Sequence, residues 1–266
     1  MTALRLTPLF AIGNLRAWRM IERNLLVYKH GWLVLLSGFF EPLFYLLSIG
    51  FGLGRLVGDV AGPGGQLIPY ALFVAPALLA ASSMNGAITE STFNFFFKLN
   101  YDKTFASILT TPMSPADISL GELAWALMRG ALYSIGFLGV MVVFGLVRSP
   151  LVLLTLPGSL LIGFAFAAVG MAATSFMRTW QDFDLIQLVI LPMFLFSGTF
   201  FPLDAVPEGV RFIVQLTPLY HGVDLLRTLS VGVVGPDTLV HVAYLLGMGL
   251  IGVFIVSRRL DKLLLK

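Results

Sequence analysis

The sequence predicts an all-α integral membrane protein of about six spanning helices, and three observations carry that reading. Of its 266 residues, 58% are hydrophobic and only 12% charged, with a mean hydropathy of +0.91, whereas soluble domains carry roughly 25% charged residues. The apolar residues come in uncharged runs long enough to cross a hydrocarbon layer of roughly 30 Å at about 1.5 Å per helical residue. Those runs are continuous in Leu, Val, Phe and Gly rather than short and alternating, which favours helices over a β-barrel. Hydrocarbon offers the backbone no partners, so each span must satisfy its own hydrogen bonds.

Taken in order, the elements begin with an N-terminal arm, residues 1–31, that carries Arg5, Arg16, Arg19, Arg23 and Lys29. It has no early apolar core and no small-residue cleavage site, so it reads as a cytoplasmic segment and not as a signal peptide. Beyond it, charges mark the boundaries, because each costs roughly 2.5 to 3.5 kcal/mol at the centre of a spanning helix. Charge-to-charge reading places spans at about residues 32–54, 67–88, 119–147, 151–176, 184–202 and 238–257. With the N-terminus inside, the inner segments hold twelve Lys and Arg residues and the outer segments hold four, Arg55, Arg148, Arg211 and Arg227. Arg129 lies within the third span and is left out of that comparison. The bias predicts that both termini are cytoplasmic.

Two connections are longer than a turn requires. The inner one, residues 89–118, leads through Lys98, Asp102 and Lys103 into an amphipathic stretch from Thr104 to Leu109, then Pro112 and Pro115. A short cytoplasmic helix ended by proline fits that pattern, with a plain solvated loop as the alternative. The outer one, residues 203–237, opens within FSGTFFPLDAVPEGV, where Gly198, Pro202 and Pro207 interrupt an apolar run, and Pro218 divides it again. Only twelve residues separate Arg211 from Asp224, about 18 Å as helix, too short to cross. The region must dip in and return or lie flat, so a re-entrant or interfacial hairpin is expected at the outer end of the bundle.

Glu41 is the most conspicuous polar residue, because it falls near the middle of the first span. A carboxylate there must face the bundle interior, take a proton or find a partner; Arg129 is one candidate. It either makes a structural polar contact or lines a path through the membrane. His221, Asp224 and Arg227 recur at three-residue spacing and share one helix face, as a local ion pair or as a polar seam of an outer gate. Glu122 opens the third span, where a carboxylate suits a helix N-terminus. His30 and His241 read as interfacial anchors rather than ligands.

Absences narrow the chemistry. The chain has no cysteine, which excludes disulfides, thiolate metal sites and cysteine nucleophiles. It contains no GxxxxGK[ST] phosphate loop, no HExxH and no GxSxG, and its three histidines lack metal-ligand spacing. No metal site, no cofactor and no enzymatic centre is therefore expected. The basic residues flank membrane spans and leave no patch for nucleic acid. A proton-coupled carrier or channel with Glu41 as relay is the rival reading.

Four stretches give the chain a resemblance to a known family. They are NLRAWRMIERNLLVYKHGW before the first span, EPLFYLLSIGFGLG within it, TFASILTTPMSPADISLGELAWALMRG after the second, and LPMFLFSGTFFPLDAVPEGVRFIVQLTPLYHGVDLLRTL before the last. Together they resemble the membrane subunits of ABC-2 type transporters, most closely the nodulation-factor exporter type of permease. The resemblance implies a six-helix permease with an amphipathic interface helix before the first span. It further implies two short re-entrant helices within Pro202 to Arg227, and a cytoplasmic coupling helix that docks on an ATPase. That coupling helix falls on Tyr101, Asp102, Lys103, Thr104, Phe105, Ile108, Leu109 and Thr111. The same resemblance implies a bacterial inner-membrane exporter that pairs with a second permease copy or paralogue and two ABC ATPase subunits, which would bind ATP and magnesium. The expected cargo is an amphiphile, a glycolipid, lipo-oligosaccharide, lipid-linked polysaccharide or drug.

Overall fold

A computed structural model describes residues 13–29 and 40–264 of the chain. His30 and the first part of the expected first span lie outside those residues, as do residues 1–12. Helix α1 covers Gly13–Tyr28. It is followed by α2 (Phe40–Val57), α3 (Tyr70–Tyr101), α5 (Pro115–Val143), α6 (Pro150–Thr174) and α10 (Asp237–Leu264). Among the described residues these last five are the helices long and apolar enough to cross a membrane. Shorter helices are α4 (Thr104–Ile108), α7 (Phe183–Phe196), α8 (Glu208–Leu216) and α9 (Pro218–Val231).

The helix ends follow local chemistry. Ser114 caps α5, accepting from the Asp117 amide while the Asp117 carboxylate accepts from the Ser114 amide, and Pro115 occupies the first turn. Pro207 and Pro218 stand at the starts of α8 and α9. Gly232 ends α9 with φ of 87°, a left-handed conformation that glycine adopts without steric cost. Before α7, the Asp182 carboxylate accepts from the amides of Arg178 and Thr179, and those bonds hold its pKa below the ordinary carboxylate range.

Helix α3 is the centre of the bundle. From Tyr70 to Met84 every residue is buried, as expected of a helix apolar on all sides. Around it pack α2, α5, α6 and α9. Helix α10 lies along α6, with a Cβ built at Gly252 falling 2.7 Å from the backbone of Ala168 and Val169, so the helices meet backbone to backbone. Its opposite face leaves Leu250, Ile251 and Phe254 exposed. α7 stands apart, with Met193 its one buried residue.

Several expectations are corrected. The fold is not wholly helical, since Asp59–Ala61 pairs antiparallel with Leu67–Pro69 in a small ribbon between α2 and α3. Helix α3 does not stop at residue 88 but continues through π-helical turns at Glu90–Asn94 and Phe97–Tyr101, because its charges are neutralised inside the protein rather than by water. The expected fifth span is a helix of only 14 residues, about 21 Å long. Its continuation is turn and irregular backbone from Ser197 to Pro202.

Candidate functional site

Three polar regions are strung along the bundle. The first joins α1, α3 and α5. Arg129 Nη1 donates to Glu90 Oε2 at 2.6 Å, and Lys98 Nζ lies 2.6 Å from Glu122 Oε2 and 3.5 Å from Glu90 Oε1. Asn94 donates to Glu90 at 2.8 Å and to the Tyr28 hydroxyl at 3.2 Å, while Asn24 Nδ2 lies 3.4 Å from Glu122 Oε1. Glu90 and Glu122 are 1% and 2% exposed. Two cations and two carboxylates thus neutralise each other away from water, the arrangement buried charges require. Burial, then the Glu90 carboxylate, raise the Tyr28 pKa, so its phenol stays protonated.

Glu122 therefore does not act at a helix N-terminus. Helix α5 starts at Pro115, a turn earlier than the charges suggested, which carries Glu122 past the first turn and into the cluster. Arg129 pairs with Glu90 and not with Glu41.

Beside this cluster lies the segment expected to couple. Tyr101 ends α3, Asp102 bends the chain, and Lys103 adopts φ of 49° before α4. Phe105 is fully buried and its ring packs 5.0 Å from that of Phe95. Asp102, Lys103, Ala106, Ser107, Thr110 and Thr111 face outward, with Thr104, Ile108 and Leu109 half-buried. Arg16 on α1 donates to the Pro112 carbonyl at 2.8 Å, tying α1 to the same turn.

The second region is a cleft at Glu41. A cavity of about 260 Å³ is lined by Glu41, Tyr45, Asn85, Arg129 and Tyr133 among others, and a neighbouring one of about 470 Å³ adds Gln187, Ile190 and Phe200. Both share Glu41, Tyr45, Asn85, Thr89 and Phe194. Glu41 is exposed and forms no ion pair with a described residue.

The third region gathers α8, α9, the start of α10 and the turn after α7. Gly198, with φ of 73°, turns the chain after α7; Pro202 precedes a single 3₁₀ turn, and Arg211 pairs with Asp204 at 3.2 Å. His221, Asp224 and Arg227 do not form one seam. His241 Nε2 lies 2.9 Å from Asp224 Oδ2, and its Nδ1 lies 2.8 Å from His221 Nδ1. A carboxylate only accepts, so His241 donates through Nε2 and His221 donates to it through Nδ1. The His241 ring is thus a structural partner at 5% exposure and not an interfacial anchor. Arg227 turns inward, where it donates to the carbonyls of Phe73 and Gly198 at 3.1 and 2.8 Å.

Sequence reasoning missed Glu90 and the pairing role of His241. Glu90, Asn94 and Lys98 follow one another at four-residue spacing, which lines them on one helix face once the helix is known to continue; no comparable signal links His221 to a residue twenty positions away.

This is a multi-pass helical membrane protein whose polar groups are gathered into buried clusters and a cleft at Glu41. The chain belongs to the ABC-2 type transporter family, whose model matches residues 16–230. It is 34% identical over 235 residues to nodulation protein J of Rhizobium leguminosarum bv. trifolii, covering 88% of both chains. It is 33% identical to nodulation protein J of Rhizobium meliloti (strain 1021), covering 86% of this chain and 84% of that protein. With nodulation protein J of Bradyrhizobium diazoefficiens the identity is 32%, over 90% of this chain and 88% of the other.

Proposed function

We propose that this chain is the permease subunit of a bacterial ABC exporter, moving an amphiphile outward through work done by a separate ATPase. The observation that supports it best is the clamp of Glu90, Lys98, Glu122 and Arg129 beside the exposed turn around α4. A push on Thr104–Ile108 reaches α3 through the Phe105 and Phe95 rings. The ion pairs then carry it to α5, and Asn24 and Arg16 carry it to α1. Neutralised charges make a stiff joint, because separating them inside protein costs several kcal/mol. In this reading Phe183–Phe196 and the backbone to Pro202 complete a sixth crossing. Helices α8 and α9 form the re-entrant pair, two permeases meet two ATPases, and both termini face the cytoplasm of the inner membrane.

The test is reconstitution with the partner ATPase. Ala106→Asp, on the exposed side of α4, should abolish copurification or substrate-stimulated ATP hydrolysis while leaving the permease folded. Unchanged coupling would refute the role of α4. Single cysteines at Ser107 and Asp204, both exposed, should react with impermeant reagent from opposite sides of the membrane, and labelling from one side would refute the topology.

A further inference from the structure

The cleft beside α7 has an unbalanced charge. Arg129 reaches its edge but is already bound to Glu90, and Lys98 is bound to Glu122, so the four charges of the cluster sum to zero. Apart from tyrosines, Glu41 is the remaining acidic or basic side chain among the described residues that line the cleft. It is exposed to the cleft and unpaired there. Asn85, Thr89 and Gln187 also lack hydrogen-bond partners for their side chains among the described residues, whereas Ile49, Phe194 and Phe200 give the cleft apolar walls. Polar groups that face hydrocarbon without partners are costly, and a carboxylate is the costliest. The lining therefore suits a molecule with a polar head and an apolar tail, and the uncompensated carboxylate selects the sign of the head.

We propose that the Glu41 cleft is a head-group site for amphiphiles bearing a protonated amine, with Glu41 as counter-charge and Asn85, Thr89 and Gln187 as hydrogen-bond partners. The site rests on the export reading and adds to it a substrate class: cationic heads are admitted, and heads whose net charge is anionic are repelled. Apolar tails lie against Ile49, Phe194 and Phe200.

The test uses the full permease with its ATPase in neutral phosphatidylcholine nanodiscs. Two fluorescent single-chain probes share one tail, one ending in a primary ammonium and the other in a sulfonate; empty discs give the partition background. The ammonium probe should bind at least about tenfold more tightly. Glu41→Gln should bring the two affinities within about twofold, Glu41→Asp should keep the preference, and Glu208→Gln, an exposed control, should leave it intact. Equal binding of both probes, or a preference that survives Glu41→Gln, overturns the proposal. Dissociation of a wild-type dimer into monomers by Glu41→Gln, read by mass photometry, would overturn it too, since the carboxylate would then serve a second copy. Binding is read without ATP, so lost head-group preference with intact ATPase coupling sinks this site alone, and lost coupling with intact preference sinks the export reading alone.

Discussion

The guanidinium carbon of Arg227 lies 3.7 Å from the centre of the Phe73 ring, and the same side chain donates to the Phe73 and Gly198 carbonyls. One cation thereby joins α9, α3 and the turn after α7. A desolvated cation over an aromatic face is worth roughly 2 kcal/mol, and hydrogen bonds from charged groups about 1.5 to 3 kcal/mol each. Lysine keeps the charge but lacks the planar fork. Arg227→Lys should destabilise the protein by about 2 kcal/mol, measured by thermal unfolding in detergent; an unchanged midpoint would show that the fork is dispensable.

The Glu90–Arg129 pair invites a double-mutant cycle. Removing one partner leaves the other charge buried, which typically costs 3 to 5 kcal/mol, whereas replacing both with neutral groups often costs little. Glu90→Gln and Arg129→Met should each destabilise strongly, and the double variant should recover more than about 1 kcal/mol relative to their sum. Strict additivity would mean that the contact carries no coupling.

How much of this was legible depends on where a charge goes. Spans flanked by solvated charges were readable, as for 150–174 and the start of α10, because a charge in lipid is costly wherever it occurs. Breaks at Gly198, Pro202, Pro207 and Pro218 were readable because proline fixes φ and removes an amide donor while glycine admits a left-handed turn, both effects on the backbone itself. Glu90 and Lys98 misled, since charge spacing reports a boundary only if the charge meets water; neutralised within protein, they let α3 run on to Tyr101. Arg227 likewise meets carbonyls from two distant segments, and no local pattern encodes tertiary partners.

The histidine pair predicts a pH dependence. Burial, then the adjacent His241, push the His221 pKa below the ordinary histidine range, partly opposed by Asp224. Tyr220, Tyr244 and the Gln215 backbone also face this pair, and Arg227 and Asp237 lie nearby. Depression in the folded state means that the unfolded chain binds protons first as pH falls. Stability should decline as pH drops below about 6.5, the ordinary histidine value, down to the lowered folded value. Thermal scans at pH 7.5 and 5.5 should differ in the wild type and differ less in His221→Gln; equal slopes would dismiss the pair as the cause.

Two glycines on α10 separate packing from propensity. A Cβ at Gly252 would sit 2.7 Å from the Ala168 and Val169 backbone, whereas nothing lies within 4 Å of one at Gly247. Backbone cannot rotate aside as a side chain tip can, so Gly252→Ala must part α6 from α10, an overpacking cost of about 1 to 3 kcal/mol. Gly247→Ala meets open space and removes the entropic cost of glycine in a helix, a gain of up to about 1 kcal/mol. The two single variants should thus shift the unfolding midpoint in opposite directions. Because both change the same residue type on one helix, a shift of equal sign at both sites would rule out the close α6–α10 contact.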